Sequence, residues 1–257
     1  MELVKEIRLK MPRIGTRKLY YLLSPKLREL GVGRDKLFSI LRANHMLIVA
    51  KKQYHVTTNS HHRFRKHKNL IENLEFSRPE QVWVSDITYI GNRQQPSYLA
   101  LITDAYSKKI MGYDVSESLN AQGVIRALKM ALKTRKYKHL DLIHHSDRGL
   151  QYCGYDYQKI LHQNRIRCSM TEKYDPYQNA IAERINGIIK HEFINEITLK
   201  NIQLMKIFIK ETIEIYNNLR PHYSCLMKTP NYMHQQRKIE IKNYKTKNNS
   251  KVKLAVI

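Results

Sequence analysis

Three carboxylates sit where a carboxylate needs a reason to be. Asp86 interrupts Val82–Ile90, VWVSDITYI, whose β-branched and aromatic residues read as a strand inside a sheet. Asp147 closes residues 140–147, LDLIHHSD, where a second apolar strand runs into Asp147-Arg148-Gly149. A carboxylate on a buried strand is costly unless it is neutralised, paired or bound to a metal. Taken singly, Asp86 could pair with an arginine and Asp147 could cap a turn. Glu183 lies on a helix predicted from Asp175, with Asp175 as N-cap, Pro176 at the first helical position and Gln178 at capping-box spacing. Ile181, Ile185, Ile188, Ile189 and Phe193 recur at helical spacing and face a core, leaving Glu183, Gly187 and Lys190 on the other side. Hard oxygen donors without thiolate suit Mg²⁺, with Mn²⁺ as a substitute.

The spacing of the acids narrows the reading. Asp86 and Asp147 are 61 positions apart, and 35 residues separate Asp147 from Glu183. This resembles the D, D-35-E pattern of DDE transposases and retroviral integrases. The words WVSDITYI, HHSDRGLQY, SMTEKYDPYQNAIAERINGIIKHE and YNNLRPHYSCLMKTP occur in the order found in the second-frame transposase of the IS-three family of bacterial insertion sequences. The resemblance runs from about Arg13 to Met233. It departs at Cys225-Leu226, where the family usually has Ser/Leu-Gly.

Composition agrees with a polyanion partner. The chain has 257 residues, 42% of them hydrophobic, with Lys+Arg at 46 against Asp+Glu at 22 and a net charge of +24. Such an excess suits nucleic acid and would be shared by a ribosomal protein. The three cysteines, Cys153, Cys168 and Cys225, form no CxxC pair, so neither a disulfide framework nor a zinc ribbon is indicated. The N-terminus lacks the apolar stretch of a signal peptide, and no run is long enough to cross a bilayer. The expected location is the cytoplasm, associated with the nucleoid when bound to DNA.

The elements that must position the acids follow in chain order. Thr16–Leu30 reads as a helix, bent or broken near Ser24-Pro25, followed by a Gly31 turn and a second helix, Arg34–Asn44, with Leu37, Ile40 and Leu41 inward. Residues 1–50 thus form a helix-turn-helix-like module presenting Arg34, Lys36 and Arg42, or a plain helical hairpin with solvated charges. The resemblance favours DNA binding. Residues 51–78 are expected as a basic linker; its His55, His61, His62 and His67 raise the question of zinc, but no cysteine accompanies them. Residues 79–234 carry strands at Val82–Ile90, Tyr98–Thr103 and Ile110–Ser116 as an antiparallel meander, a helix at Ala121–Thr134 with Val124, Ile125, Leu128, Met130 and Leu132 apolar, a strand at Leu140–His145, a helix at Tyr155–Gln163, a strand at Ile166–Met170, the Glu183 helix and a helix at Ile202–Asn218. That is the order of the ribonuclease H-like fold: α/β, a mixed five-stranded sheet with flanking helices. Residues 235–257 read as a loose basic tail.

What the resemblance implies is metal-dependent strand cleavage and strand transfer at the ends of an insertion sequence. Asp86 would bridge two metal ions, with Asp147 and Glu183 each holding one. Water would free a 3′ end that then attacks a second strand. The implied partners are the terminal inverted repeats and target DNA, further copies of the chain on DNA, and the first-frame protein or a fusion to it; no membrane is implied. The resemblance also puts a cation at Lys190. His144 and His145 are softer donors than Mg²⁺ prefers and are expected to support the acids or to pack; Gly149 serves the turn, and Gln178 and Asn179 either orient Glu183 or cap its helix. A ribonuclease H-like nuclease without strand transfer and a silent DNA-binding remnant are the alternative readings.

Overall fold

Strands β1 (Val82–Gly91), β2 (Pro96–Asp104) and β3 (Ile110–Ser116) form the expected antiparallel meander in a computed structural model of the chain, which describes residues 1–49, 66–91, 96–172, 176–194, 197, 199, 201–236, 238–241 and 253–256. Strands β4 (Leu142–Ser146) and β5 (Ile166–Met170) add in parallel on the other side of β1, giving the order β3-β2-β1-β4-β5. The sheet is therefore mixed and five-stranded, as its class predicts. Side chains alternate across a strand. Trp83 joins Ala100, Ile102 and Met111 in the layer covered by α4 (Ala121–Thr134), α5 (Leu150–Cys153) and α6 (Tyr155–Gln163). Val82 and Val84 face the opposite way, towards Ile143 and Ala182 of α7 (Ala180–Ile188). Asp86 shares their parity. Helix α4 packs so closely on β3 that a Cβ at Gly112 would lie 2.1 Å from the Ala127 carbonyl oxygen.

The N-terminal region holds three helices, α1 (Glu2–Lys10), α2 (Thr16–Glu29) and α3 (Arg34–Ala43). The expected break at Pro25 does not occur. Proline removes the N–H that would bond the Tyr21 carbonyl, and the Ser24 hydroxyl donates to that oxygen instead at 3.0 Å. Gly31 at φ 64° ends α2 and lets the Val32 amide reach the Leu27 carbonyl at 2.8 Å. Leu37 and Leu41 are buried as expected, while Ile40 is only partly so. These helices do not stand apart: Leu19, Leu23, Leu37 and Leu41 share one apolar core with Ile185, Ile189 and Phe193 and with Met205, Ile209 and Ile213 of α8 (Ile202–Asn218).

Several expectations need amendment. The sequence signals for α1, α5 and α9 (Pro230–His234) are too short to read by periodicity. Met130, expected inward on α4, is exposed, because the small residues Ala127 and Ala131 make the close contact. Of the expected linker, 51–65 lies outside the described residues, and with it His55, His61 and His62. Its remainder packs: Leu70, Ile71, Leu74 and Phe76 cover Val82, Val84 and Ile143, and the Leu70 amide donates to Ser169 Oγ at 2.9 Å. In the expected loose tail, β6 (Lys238–Ile241) and β7 (Lys253–Val256) form an antiparallel ribbon. Helix α9 is held by a buried polar cluster in which His234 contacts Glu80 at 3.3 Å and Ser107 at 3.0 Å, while Ser107 also donates to Asp104 at 2.6 Å. Among the described residues, no helix is long and apolar enough to cross a membrane.

Candidate active site

The three predicted acids arrive on three elements. Asp86 is the fifth residue of β1 and pairs in register with Leu101. Asp147 follows the last residue of β4, a parallel neighbour of β1 whose pairing runs only from Val82 to Val84. Beyond Val84 the two strands diverge, and the acids stand at that opening, the usual place for a site in an α/β sheet. Glu183 is in the first turn of α7, which packs over the same face through Ala182.

Electrostatics ties the three together. Burial first, and then the charge of Asp147, push Asp86 up to about 7, with Glu183 contributing last. Burial and Asp147 raise Glu183 as well. Asp86 and Asp147 are already held by protein, while Glu183 is exposed on α7. Asp86 Oδ1 accepts from the Ile87 amide at 2.8 Å, and its Oδ2 accepts from Asn186 Nδ2 at 2.9 Å. Asp147 Oδ1 accepts from the Gly149 amide at 3.0 Å, and a Cβ on Gly149 would lie 3.0 Å from that same oxygen. Gly149 thus serves the turn as expected and also leaves room for the carboxylate. Among the described residues no three acidic, His or Cys side chains close into a single metal cage. The acids are electrostatic neighbours, and the oxygens of Asp86 and Asp147 accept from protein donors.

Beneath the site lies a neutral, buried layer. Ser85 bonds the Tyr152 hydroxyl at 3.0 Å, and Tyr157 bonds His144 at 2.8 Å. His145 Nδ1 meets Ser169 Oγ at 2.8 Å. Burial pushes His144 down to about 3 and His145 down to about 4, so both are uncharged at neutral pH. This fits their expected packing role.

The start of the Glu183 helix differs from expectation. Asp175 lies outside the described residues, and a 3-10 turn, Pro176–Asn179, leads into α7. Asn179 makes no capping bond; its Nδ2 donates to the Ser85 carbonyl of β1 at 3.1 Å. Gln178 instead accepts from the Glu172 amide at 2.6 Å. Sequence reasoning did not single out Asn186, although its place one turn beyond Glu183 was the available signal.

The other end of the helix also differs. Residues Ile189–Ile194 form a π turn. A π turn bonds i to i+5 and so takes one more residue per turn than an α-helix. An open groove of about 450 Å³ is lined by Ala180, Glu183, Arg184, Gly187, Ile188, His191 and Glu192, so His191 rather than Lys190 lies with Glu183 along it. Lys190 is half-buried beside it. Glu192 anchors the turn, bonded by Arg220 at 2.7 and 2.6 Å and by Lys18 of α2 at 3.3 Å. Arg34, Lys36 and Arg42 are exposed on α3, and no contact joins them to the acids among the described residues.

Comparison with known proteins agrees with this arrangement. Two models of the integrase core domain match residues 77–176 and 164–230. The insertion element IS600 uncharacterized 31 kDa protein of Shigella sonnei is 35% identical over 226 residues, 86% of this chain and 83% of that one. Transposase InsF for insertion sequence IS3A of Escherichia coli (strain K12) is 33% identical over 72% of this chain and 65% of its own. The simian T-cell lymphotropic virus intasome, solved in complex with PP2A regulatory subunit B56 gamma, includes a chain sharing the fold at a TM-score of 0.54 and 19% identity, over 92% of this chain and 81% of that chain. The chain belongs to the IS3-type transposases of bacterial insertion sequences, DDE enzymes with an integrase core domain.

Proposed function

We propose that Asp86, Asp147 and Glu183 are the catalytic acids with which this transposase cleaves the ends of an insertion sequence and joins them to target DNA. The observation that supports it most directly is that the charge of Asp147 raises the pKa of both Asp86 and Glu183, so carboxylates from β1, the end of β4 and α7 act on one another. Like charges that act on one another in this way fit a divalent cation, which would relieve their repulsion. The three acids offer oxygen donors only, and that set favours Mg²⁺ with Mn²⁺ as a substitute. When bound, such ions activate the attacking oxygen and stabilise the leaving one.

The chain's own residues hold the acids ready. Ile87 and Asn186 orient Asp86, the Gly149 amide orients Asp147, and the first turn of α7 carries Glu183. The groove lined by Arg184, Gly187 and His191 continues from Glu183 along the helix and offers a path for the DNA end, with Lys190 at its edge. Arg34, Lys36 and Arg42 on α3 supply a second, more distant phosphate-binding surface, suited to the terminal inverted repeats. Several copies of the chain act together on DNA, and the first-frame protein or a fusion to it takes part. The chain works in the cytoplasm, on nucleoid DNA.

Glu183→Gln tests the reading, because it keeps the size of the side chain and removes a ligand's charge. Cleavage of end DNA, and joining of a pre-processed 3′ end, should both fall by more than about a hundred-fold, with end-DNA affinity kept. Near wild-type cleavage in Mg²⁺ would show that Glu183 is not catalytic.

A further inference from the structure

Two asparagines stitch the Glu183 helix to the Asp86 strand, and they bracket the glutamate. Asn179 stands four residues before Glu183 and Asn186 three residues after it. Asn179 Nδ2 donates to the carbonyl of Ser85 at 3.1 Å, and Asn186 Nδ2 donates to the carboxylate of Asp86 at 2.9 Å. The acceptors are consecutive residues of β1, one and two positions beyond its last pairing with β4. Both asparagines are buried, at 6% and 4% exposure, and the Oδ1 of each lacks a partner among the described residues. A buried amide left half-satisfied is costly. The chain nevertheless keeps two of them where apolar residues would pack α7 onto the sheet as well.

We propose that Asn186 is a positioning residue for the strand-cleavage reaction: it fixes the Asp86 carboxylate for a metal ion without adding a competing charge, and Asn179 sets the height of α7 so that Glu183 faces the same point. The chemistry selects the amide. An arginine or lysine at this position would pair with Asp86 and neutralise the charge that a cation needs. A serine would be too short to span from the helix to the strand, and an aliphatic side chain would leave the carboxylate free to turn. An amide donates one hydrogen bond, and the oxygen that accepts it keeps a second lone pair for another ligand. This inference rests on Asp86 being a metal ligand.

The experiment compares wild type, Asn186→Leu and Asp86→Asn. Leucine matches asparagine in length and fills the buried site, so it restores packing without the donor. Mg²⁺ or Mn²⁺ binding is measured by calorimetry without DNA, alongside end-DNA affinity, thermal unfolding and the metal dependence of cleavage. Asn186→Leu should keep its fold and its DNA affinity. Its metal dissociation constant, and the Mg²⁺ concentration for half-maximal cleavage, should rise on the order of ten- to a hundred-fold, as when a hydrogen-bonding supporter of a ligand is lost. In the wild-type chain, the ¹⁵N side-chain amide signal of Asn186 should shift on metal addition. Unchanged metal affinity in Asn186→Leu, or a wild-type Asn186 amide signal that metal leaves in place, would overturn the assignment. The Asp86→Asn variant separates the two readings: metal affinity equal to wild type there would refute Asp86 as a ligand, whereas a loss there with none in Asn186→Leu would refute only the role of Asn186.

Discussion

Lys190 and His191 are adjacent, yet they should answer different questions about DNA. The seven-residue spacing from Glu183 predicts Lys190 on the catalytic face of an unbroken α-helix. In the structure His191, not Lys190, lines the groove that runs from Glu183, and its ring lies 3.9 Å from the position a Cβ on Gly187 would take. Burial, and then the charges of Lys190 and Arg13, push the His191 pKa below its ordinary value. His191 is therefore neutral at pH 7 to 8, and its contribution to DNA binding on the proposed path would be hydrogen bonding or stacking, without release of a counterion. Lys190→Ala should flatten the salt dependence of end-DNA binding by about one unit. His191→Ala should weaken binding by roughly 1 kcal/mol, the low end for a base-stacking contact, with the slope unchanged. Lys129, exposed on α4, should do much less than either. Titrations of the three variants across salt would decide, and a slope change for His191→Ala equal to that for Lys190→Ala would mean that charge density rather than position governs binding.

Among the elements, the turn after α8 explains the chain's one departure from its family's pattern. Leu226 has φ 54° and Met227 φ 63°, both left-handed, in a tight loop closed by bonds from the Met227 amide to the His222 carbonyl at 3.0 Å and from the Lys228 amide to the Cys225 carbonyl at 2.9 Å. A β-carbon in this region is strained by about 1–2 kcal/mol, and glycine is not. The glycine usual in the family thus stands where the backbone calls for it. Leu226→Gly should raise unfolding stability by about 1 kcal/mol, read from urea melts at pH 7; a lower midpoint would mean that the Leu226 side chain contributes more than the strain costs. This turn illustrates what the sequence does and does not disclose. Strands β3 and β5 and helices α4, α6 and α8 match their predicted bounds, because each has a full period of apolar residues bounded by turn chemistry. The left-handed pair is closed by local backbone bonds, the π turn is anchored by partners distant in the chain and the continuation of α2 through Pro25 is helped by one side chain, and no periodicity records them. The acids were legible because a carboxylate in an apolar strand is out of place. Asn186 was not, since an asparagine on a helix has no such contrast until β1 is seen beside it.

For the molecule as a whole, the question is whether the N-terminal helices and the catalytic layers are one cooperative body. Their apolar side chains form a continuous core, and Lys18 of α2, Glu192 of the π turn and Arg220 beyond α8 meet in one ion cluster. Arg220 is 1% exposed, and Glu192 supplies its buried counter-charge. Removing one partner of such a buried pair typically costs about 3–5 kcal/mol. Glu192→Gln should therefore lower stability by about that amount and move the whole chain in a single transition, seen alike by circular dichroism and by the fluorescence of Trp83. The pH dependence has a definite sign. Although burial alone would raise the Glu192 pKa, Arg220 and then Lys18 outweigh it and hold the carboxyl below its ordinary range. A depressed carboxylate contributes stability that is present above its unfolded pKa, about 4.3, and is lost as pH falls through the folded value. The gap between wild type and Glu192→Gln should thus be full at neutral pH and close in acid. Two separate transitions, only one of them shifted by the substitution, would show that the N-terminal helices fold independently of the catalytic core.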